Sequence, residues 1–454
     1  MNVTRFPMIA RILSGQGLFA RALRGSAITA ASYAFAQALR LASNLILTRL
    51  LFPEAFGLMA LVSVFLVGLA MFSDMGIGPA ISQNRRGDEP DFLNTAWTIQ
   101  VGRGALMWGA TWVLAQPLAR FYDAPMLHYL LPAAGATLFI SGFNPTRIDT
   151  AIRHLLLGRV TALDLISQII GIVAMVVLAF AMGSVWALVL GALLGAGVKL
   201  GLMHRYLPGP VNRFHWERAA AHDLLHFGKW IFLSTACGFL LAQGDKAILG
   251  AYLPLDQLGV YNIGYFLASF PVLLGGAITS RILIPIYRDH APATESMNAR
   301  RLRRLRFGLS AGMLGLLALM AFAGVPLVGI MYDARYAQAG AVVVAIACLQ
   351  MPMVIGMTYD QAALAAGDSR NFFLLIAAKA TVQTVAFLVG AELAGLPGAL
   401  AGQGLALVLV HPLIIWLARR HRVWDARHDL GFGALAAGLI ALALWVNRVA
   451  LATL

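Results

Sequence analysis

Long apolar runs, broken at regular intervals by short polar clusters, dominate the chain. Stretches of the roughly 20 apolar residues that a bilayer span requires occur at about 27–50, 55–83, 93–118, 127–148, 160–181, 184–203, 224–251, 257–287, 307–331, 337–361, 371–393, 396–418 and 430–450. Turn-forming clusters such as FPEAFG, RRGDEP, LPGP, LPLDQLG, GDSR and GLPG separate them. Backbone inside a membrane must be satisfied helix by helix. The pattern therefore predicts an all-α polytopic membrane protein of about 13 helices joined as hairpins, twelve plus one more at the carboxyl end.

Composition agrees with the pattern: hydrophobic residues make up 60% of the 454 and charged residues only 12%, against about one quarter charged in soluble chains. Cys237 and Cys348 lie in separate apolar stretches and predict no disulfide framework. The opening residues are basic and weakly amphipathic, without the long apolar core of a signal peptide. They predict an arm at 1–26 lying on an anionic cytoplasmic leaflet.

The formal charge of +14 acquires a meaning once it is placed. Every second loop is basic: Arg5 to Arg24, Arg85 and Arg86, Arg147 to Arg159, Arg205 to Arg218, Arg288 to Arg306, Arg370, and Arg419 to Arg427. The opposite face carries only Arg49, Arg120, Arg335 and Arg448. By the positive-inside rule the amino terminus is cytoplasmic and the carboxyl terminus is outside, periplasmic in a bacterial inner membrane. Topology thus accounts for the basic excess, and no nucleic acid is needed as a partner.

An internal repeat is also present. A shift of 202 residues lays LFPEAFGL at 51–58 over LPLDQLGV at 253–260, placing Gly57 on Gly259 and Glu54 on Asp256. Helices one and two correspond to seven and eight, which makes a parallel repeat of two six-helix lobes. The expected organisation is an amino lobe at 27–205, a cytoplasmic linker at 206–223, a carboxyl lobe at 224–418, and a loop with one further helix at 419–454.

Polar residues inside the apolar matrix are the candidate functional groups, because charge at membrane depth is costly. Tyr33, Gln37, Arg40, Asn44 and Thr48 recur at helical spacing and form one stripe on the first helix. A rise of about 1.5 Å per residue puts Arg40 and Arg103 roughly 15 Å from the nearer helix end, where snorkelling does not reach. Lys229 and Arg281 lie close enough to the inner surface to snorkel. Lys246 occupies the repeat position of Asn44, helix eight offers Asn262, Tyr265 and Ser269, and Lys379 lies in the eleventh span. The bland reading of such stripes is interhelical hydrogen bonding. The sharper one is a cavity in which Arg40, Arg103, Lys246 and Lys379 outnumber Asp74 and Asp245 and so favour an anionic ligand, phosphate above all. Asp74, in FSDMGIG, and Asp245 have two readings: an ion-coupling site or an internal ion pair.

At this point the residues resemble a family. The runs SNLILTRLLFPEAFGLMALVSVF, FSDMGIGPAISQ and FLNTAWTIQVGRG look like the opening of the oligosaccharide flippases of the polysaccharide transport family, within the multidrug, oligosaccharidyl-lipid and polysaccharide exporter superfamily. The match is specific over about residues 26–110 and weaker over GDKAILGAYLPLDQLGVYN. It implies two lobes that alternate to carry an undecaprenyl-diphosphate-linked oligosaccharide to the outer leaflet for exopolysaccharide or O-antigen synthesis. A polymerase and glycosyltransferases would act beside it. Under this reading Arg40 and Arg103 hold diphosphate or acidic sugar, Lys246 and Lys379 extend the basic lining, and Gln37, Asn44, Tyr33, Asn262 and Tyr265 meet the glycan. A cation-coupled multidrug exporter and a lipid-II-type flippase are the alternatives.

Other chemistry is not encoded in recognisable form. There is no phosphate-binding lysine loop and no HExxH or CxxC, so neither ATP hydrolysis nor a metal or other cofactor is expected. The outside loops are too short to hold the catalytic carboxylates of a membrane glycosyltransferase.

Overall fold

The computed structural model describes residues 18–74, 76–154, 156–228, 231–276, 279 and 296–454. Residues 1–17 of the basic arm, together with Lys229, Arg281 and Arg288, lie outside the described residues. The described part is helical throughout, with no strand. The helices are α1 (Leu18–Leu50), α2 (Pro53–Phe72), α3 (Ile77–Gln83), α4 (Pro90–Phe121), α5 (Leu127–Gly142), α6 (Arg147–Arg153), α7 (Leu157–Met182), α8 (Trp186–Tyr206), α9 (Arg218–Gly228), α10 (Ile231–Tyr252), α11 (Leu255–Ala268), α12 (Ser296–Met331), α13 (Ala339–Ala365), α14 (Ser369–Arg420), α15 (Ala426–Val446) and α16 (Arg448–Leu451).

Local chemistry explains the boundaries. Pro53 and Pro90 open α2 and α4 with Glu54 and Asp91 in the first turn; a proline there has no N–H to waste, and a carboxylate favours the positive helix end. Asp425 accepts from the N–H groups of Arg427 and His428 and caps α15. Gly183, at φ 56°, closes α7. The 52 residues of α14 are two helices joined across a kink at Ala394 and Gly395, which separates the eleventh and twelfth predicted spans. Seven helices are long and apolar enough to cross a membrane by length and composition, eight if the bent pair Leu255–Ala268 and Phe270–Gly276 is one span, among the described residues. The protein is a multi-pass membrane protein; the count of about 13 spans is an expectation from sequence.

The chain divides into two compact units, Met1–Leu51 with Phe65–Leu233, and Phe52–Val64 with Ser234–Leu454. In the first unit α7 packs along α8, α4 along α5, and α1 against α7. One apolar core joins α3, α4 and α9 through Ile81, Phe92, Ala96 and Leu224. The two end arginines of α6 serve here as staples. Buried Arg147 donates to the carbonyls of Pro210 (2.7 Å), His204 and Leu207. Arg153 donates to those of Ile81 and Asn84, each at 2.7 Å. Both arginines satisfy carbonyls at or just beyond the ends of α8 and α3, which a helix end leaves open.

In the second unit α13 is the hub, with contacts to α11, α12, α14 and α15. The apolar window in 334–359 is 83% buried, against 17% to 50% for the corresponding windows of the other candidate spans. Its near-uniform apolar sequence has no polar side to expose. Elsewhere large apolar side chains such as Leu106, Trp112, Val177, Phe180, Leu393, Leu409 and Trp445 face outward, as lipid-facing surfaces do.

The repeat has a direct structural counterpart within the second unit. A Cβ on Gly57 would collide with the Leu255 carbonyl oxygen, and one on Gly259 with the Pro53 carbonyl oxygen. Gly57 and Gly259, like Pro53 and Leu255, are 202 positions apart, so the two close approaches are copies of one another. Only residues without a side chain let the backbones of α2 and α11 meet this closely.

Candidate functional site

Arg40 lines a groove of about 510 Å³ in the first unit, between α1, α7 and α8. Its floor exists because α7 and α8 are stitched together by small residues: a Cβ on Gly171 would stand 3.0 Å from the Cα of Gly195. The Gln168 amide nitrogen lies 3.5 Å from the Ala36 carbonyl, one turn of α1 before Arg40. Across the groove Lys199 Nζ meets Asp164 Oδ1 at 2.7 Å, and both side chains remain part-exposed. Two cations therefore stand against one carboxylate among the lining residues, and Ser141, Asn144 and Ser167 add hydrogen-bonding groups. The buried Asn144 Oδ1 has no hydrogen-bond partner among the described residues. A groove with surplus positive charge and fixed polar groups can hold an anion with hydroxyl-bearing neighbours.

Gln37 is buried on the same helix, with its Oε1 unpartnered, and Asn44 is half-buried. Tyr33 lies on α1, but its side chain is outside the described residues. Arg103 is placed elsewhere in the unit and acts as a strut. Its Nε donates to Ser73 Oγ at 3.1 Å, its Nη2 to the Ala70 carbonyl, and its Nη1 sits 3.7 Å from Asp74 Oδ1. Asp74 also accepts from the N–H of Gly76, at φ 64°. Arg103 and Asp74 thus hold the carboxyl end of α2 against α4.

The second unit gathers the remaining candidates. Tyr261 O–H donates to Asp245 Oδ2 at 2.7 Å in a buried setting, and the Tyr261 and Tyr265 ring centroids are 5.9 Å apart. Lys246 Nζ lies 4.9 Å from the Tyr265 ring centroid, within the range of a cation–π contact. Tyr265 and Lys379 line a separate cavity of about 270 Å³ with Ser269, Gln350, Gln383, Gln403 and His411. Asn262 is half-buried on α11.

Sequence reasoning missed two groups. Asp164, Ser167 and Gln168 share one face of α7 at helical spacing, a signal that was present, but Asp164 and Lys199 lie near helix ends where a charge needs no explanation. The second group is a buried cluster around Asp429. Tyr359 O–H donates to it at 2.6 Å and Trp424 Nε1–H at 3.0 Å, while His428 Nδ1 and His411 Nε2 lie 3.1 and 3.3 Å from its oxygens. His428 Nε2 faces Ser310 Oγ at 2.8 Å. The carboxylate assigns the proton to Nδ1, leaving Nε2 to accept from serine. Ser310, His428 and Asp429 have the connectivity of a nucleophile–base–acid triad, yet Ser310 and His428 are completely buried. No substrate reaches them, and the cluster ties α12, α13, α14 and α15 together. Among the described residues no group of three or more His, Cys, Asp or Glu is placed to hold a metal ion.

The model of a family described as polysaccharide biosynthesis protein matches residues 46–341, well over half of the chain. The chain belongs to that family. Its relatives include the succinoglycan biosynthesis transport protein ExoT of Rhizobium meliloti (strain 1021), 25% identical over 245 residues, 53% of this chain and 49% of that protein. The lipopolysaccharide biosynthesis protein WzxC of Escherichia coli (strain K12) is 23% identical over 255 residues, 56% of this chain and 51% of that protein. This family member thus spans about half the length of the curated relatives it matches. Among solved structures, lipid II flippase MurJ in an inward closed conformation superposes with a TM-score of 0.68 at 11% identity over 91% of both chains. An inward-facing MATE family transporter of the MOP superfamily gives 0.63 at 15% identity over 85% of this chain and 94% of that one. These likenesses establish the fold, and with the family they bear out the resemblance read from the opening helices.

Proposed function

We propose that this protein is a flippase that moves an undecaprenyl-diphosphate-linked oligosaccharide from the cytoplasmic to the outer leaflet of a bacterial inner membrane, supplying exopolysaccharide or O-antigen synthesis. The observation that carries the reading is the groove in which Arg40 faces the Lys199–Asp164 pair. A planar guanidinium matches two oxygens of a diphosphate at once, and a lysine adds a point charge. Asp164 competes for Lys199, so the anion is held without being trapped, as a carrier that must also release requires.

Transport proceeds by alternating access, with the amino terminus in the cytoplasm and the carboxyl terminus in the periplasm. Lys246 and Lys379 extend the basic lining, while Tyr265, Gln37, Asn44, Tyr33 and Asn262 serve the glycan; Arg103, engaged by Ser73, Ala70 and Asp74, is a structural strut. Asp74 and Asp245 act as internal partners of Arg103 and Tyr261. A polymerase and glycosyltransferases work next to it. The relatives' names, which concern succinoglycan and lipopolysaccharide biosynthesis, support a glycan cargo. Export of cationic drugs is disfavoured, because the groove has more cations than carboxylates. A cell-wall lipid precursor shares the diphosphate and differs in its sugar.

The test is Arg40→Gln in cells, with protein level held constant. Polysaccharide export falls at least tenfold and the lipid-linked oligosaccharide accumulates on the cytoplasmic side. Unimpaired export removes Arg40 from the mechanism. Drug sensitisation without such accumulation, on deletion of the gene, replaces the flippase reading with the exporter.

A further inference from the structure

His411 joins two features of the second unit. Its imidazole lines the cavity of about 270 Å³ among α10, α11, α13 and α14, and its Nε2 lies 3.3 Å from Oδ2 of Asp429 in the buried cluster. The His411 side chain keeps 23% of its exposure, whereas Asp429 keeps 9% and His428 none. His411 is thus the member through which the cluster meets the cavity.

Donors occupy both oxygens of Asp429: Tyr359 O–H on Oδ1 and Trp424 Nε1–H on Oδ2. A carboxylate so surrounded is an acceptor, and the ring nitrogens that face it carry hydrogens. His428 is engaged at both ends, because its Nε2 faces Ser310 Oγ at 2.8 Å. His411 differs: with Nε2–H directed at Asp429, its Nδ1 keeps a lone pair. The cavity beside it holds about nine waters at roughly 30 Å³ each, and the amides of Gln350, Gln383 and Gln403 give them partners. Water can deliver a proton to Nδ1, and the imidazolium so formed already has a carboxylate against its other N–H. Histidine is the side chain suited to exchange a proton in the physiological range. The charged and titratable neighbours are few. Lys379 of α14 and Tyr265 of α11 line the same cavity. Behind Asp429 stand His428 of α15 and Tyr359 of α13, whose ring centroid is 4.5 Å from the Arg306 guanidinium of α12. Asp425, which caps α15, is engaged by Arg303 of α12 at 2.9 Å. A proton on His411 turns its contact with Asp429 into an ion pair that draws α14 to α15, and loss of the proton removes that attraction while the other bonds of the cluster remain. The bound proton therefore changes how the helices hold together, as a coupled ion has to do.

We propose that His411, backed by Asp429, is the proton-binding site that couples this carrier to the proton gradient. Nδ1 takes a proton from cavity water on the outer side, Asp429 holds the imidazolium, and the same nitrogen returns the proton to water on the cytoplasmic side, so that inward proton movement drives outward transport. The proposal rests on the flippase reading for its cargo and adds the ion that powers it.

The test uses the full-length protein in lipid nanodiscs and in liposomes. With nitrogen-labelled histidine in nanodiscs, the ring signals absent from His411→Gln shift between about pH 5 and 8 in the wild type. Liposomes containing a pH-sensitive dye, with the membrane potential clamped, are given lipid-linked oligosaccharide extracted from cells lacking the gene. Glycan crosses the membrane with protons moving the opposite way, and an imposed pH gradient speeds its crossing at least fivefold. His411→Gln loses both the proton signal and the acceleration. His411→Arg, which keeps a cation against Asp429 and cannot release it, shows the same loss and serves where His411→Gln lowers the yield of folded protein. Ring signals that do not move with pH, or a gradient that still accelerates crossing in both variants, overturn the proposal. Wild-type crossing that is indifferent to the gradient and carries no proton signal also overturns it and leaves the flippase reading standing. If no glycan crosses in the wild type while the His411 signals shift with pH, the flippase reading falls and the proton site stands.

Discussion

Asp149 offers a quantitative test of the folded architecture. It sits on α6, outside the spans, with its Oδ1 facing α3 so closely that a Cβ on Gly78 would be only 2.9 Å away. Loss of water around the carboxyl favours its neutral form and pushes its pKa up from 3.8 to about 6. The folded state thus holds its proton to higher pH than the unfolded chain does. The stabilisation this represents is complete below about pH 4 and is lost as pH rises to about 6, above which the native state carries a buried, poorly hydrated carboxylate. At about 1.4 kcal/mol per pH unit the full effect is about 3 kcal/mol. Asp149→Asn keeps the shape and removes the titration. The measurement is unfolding of both proteins in detergent from pH 4 to 7.5, followed by tryptophan fluorescence, with the variant subtracted so that carboxylates common to both cancel. The wild type loses up to about 3 kcal/mol relative to the variant between pH 4 and 6, and the difference is flat on either side. A difference that stays level across that window, or changes with the opposite sign, refutes the argument that burial governs this group.

Further substitutions probe packing in the second unit. Gly57→Ala drives a methyl into the Leu255 carbonyl, which cannot rotate away as a side chain would, and destabilises the protein by about 1–3 kcal/mol; Gly259→Ala does the same against Pro53, and a thermal midpoint unchanged in both variants contradicts the reciprocal crossing. Tyr261→Phe strips Asp245 of its 2.7 Å donor at a cost of about 1–3 kcal/mol; adding Asp245→Leu recovers part of that loss if the cost is an unsatisfied buried carboxyl, and an additive loss in the double variant shows that it is not.

Much of the fold was legible in the chain because a bilayer leaves few options. Runs of the required length must be helices, breakers must be turns, and the repeat of FPEAFG and LPLDQLG marks equivalent hairpins. That the two hairpins approach each other at Gly57 and Gly259 is visible only in the structure. The site was legible only in part. Arg40 is conspicuous because an arginine that far from a helix end has no bland explanation, and it does line a groove. Arg103 satisfies the same depth argument, yet it is engaged by Ser73, Ala70 and Asp74, since depth says that a charge needs company without saying whose. Asp164 and Lys199 passed unnoticed because each alone is unremarkable at a helix end. Their 2.7 Å pairing depends on how α7 lies along α8.

Helix positions, the membrane class, the parallel repeat and the family are written in one dimension, because they rest on periodicity, length and local turn chemistry. Which polar residues share a cavity depends on the rotation of each helix about its axis and on its neighbours. Those are settled by packing: Gly171 against Gly195 shapes the Arg40 groove, and the burial of α13 gathers Gln350, Lys379 and Tyr265 around one cavity. Tertiary structure alone decided that Arg40 and Lys199 line a groove in one unit while Lys379 lines a cavity in the other.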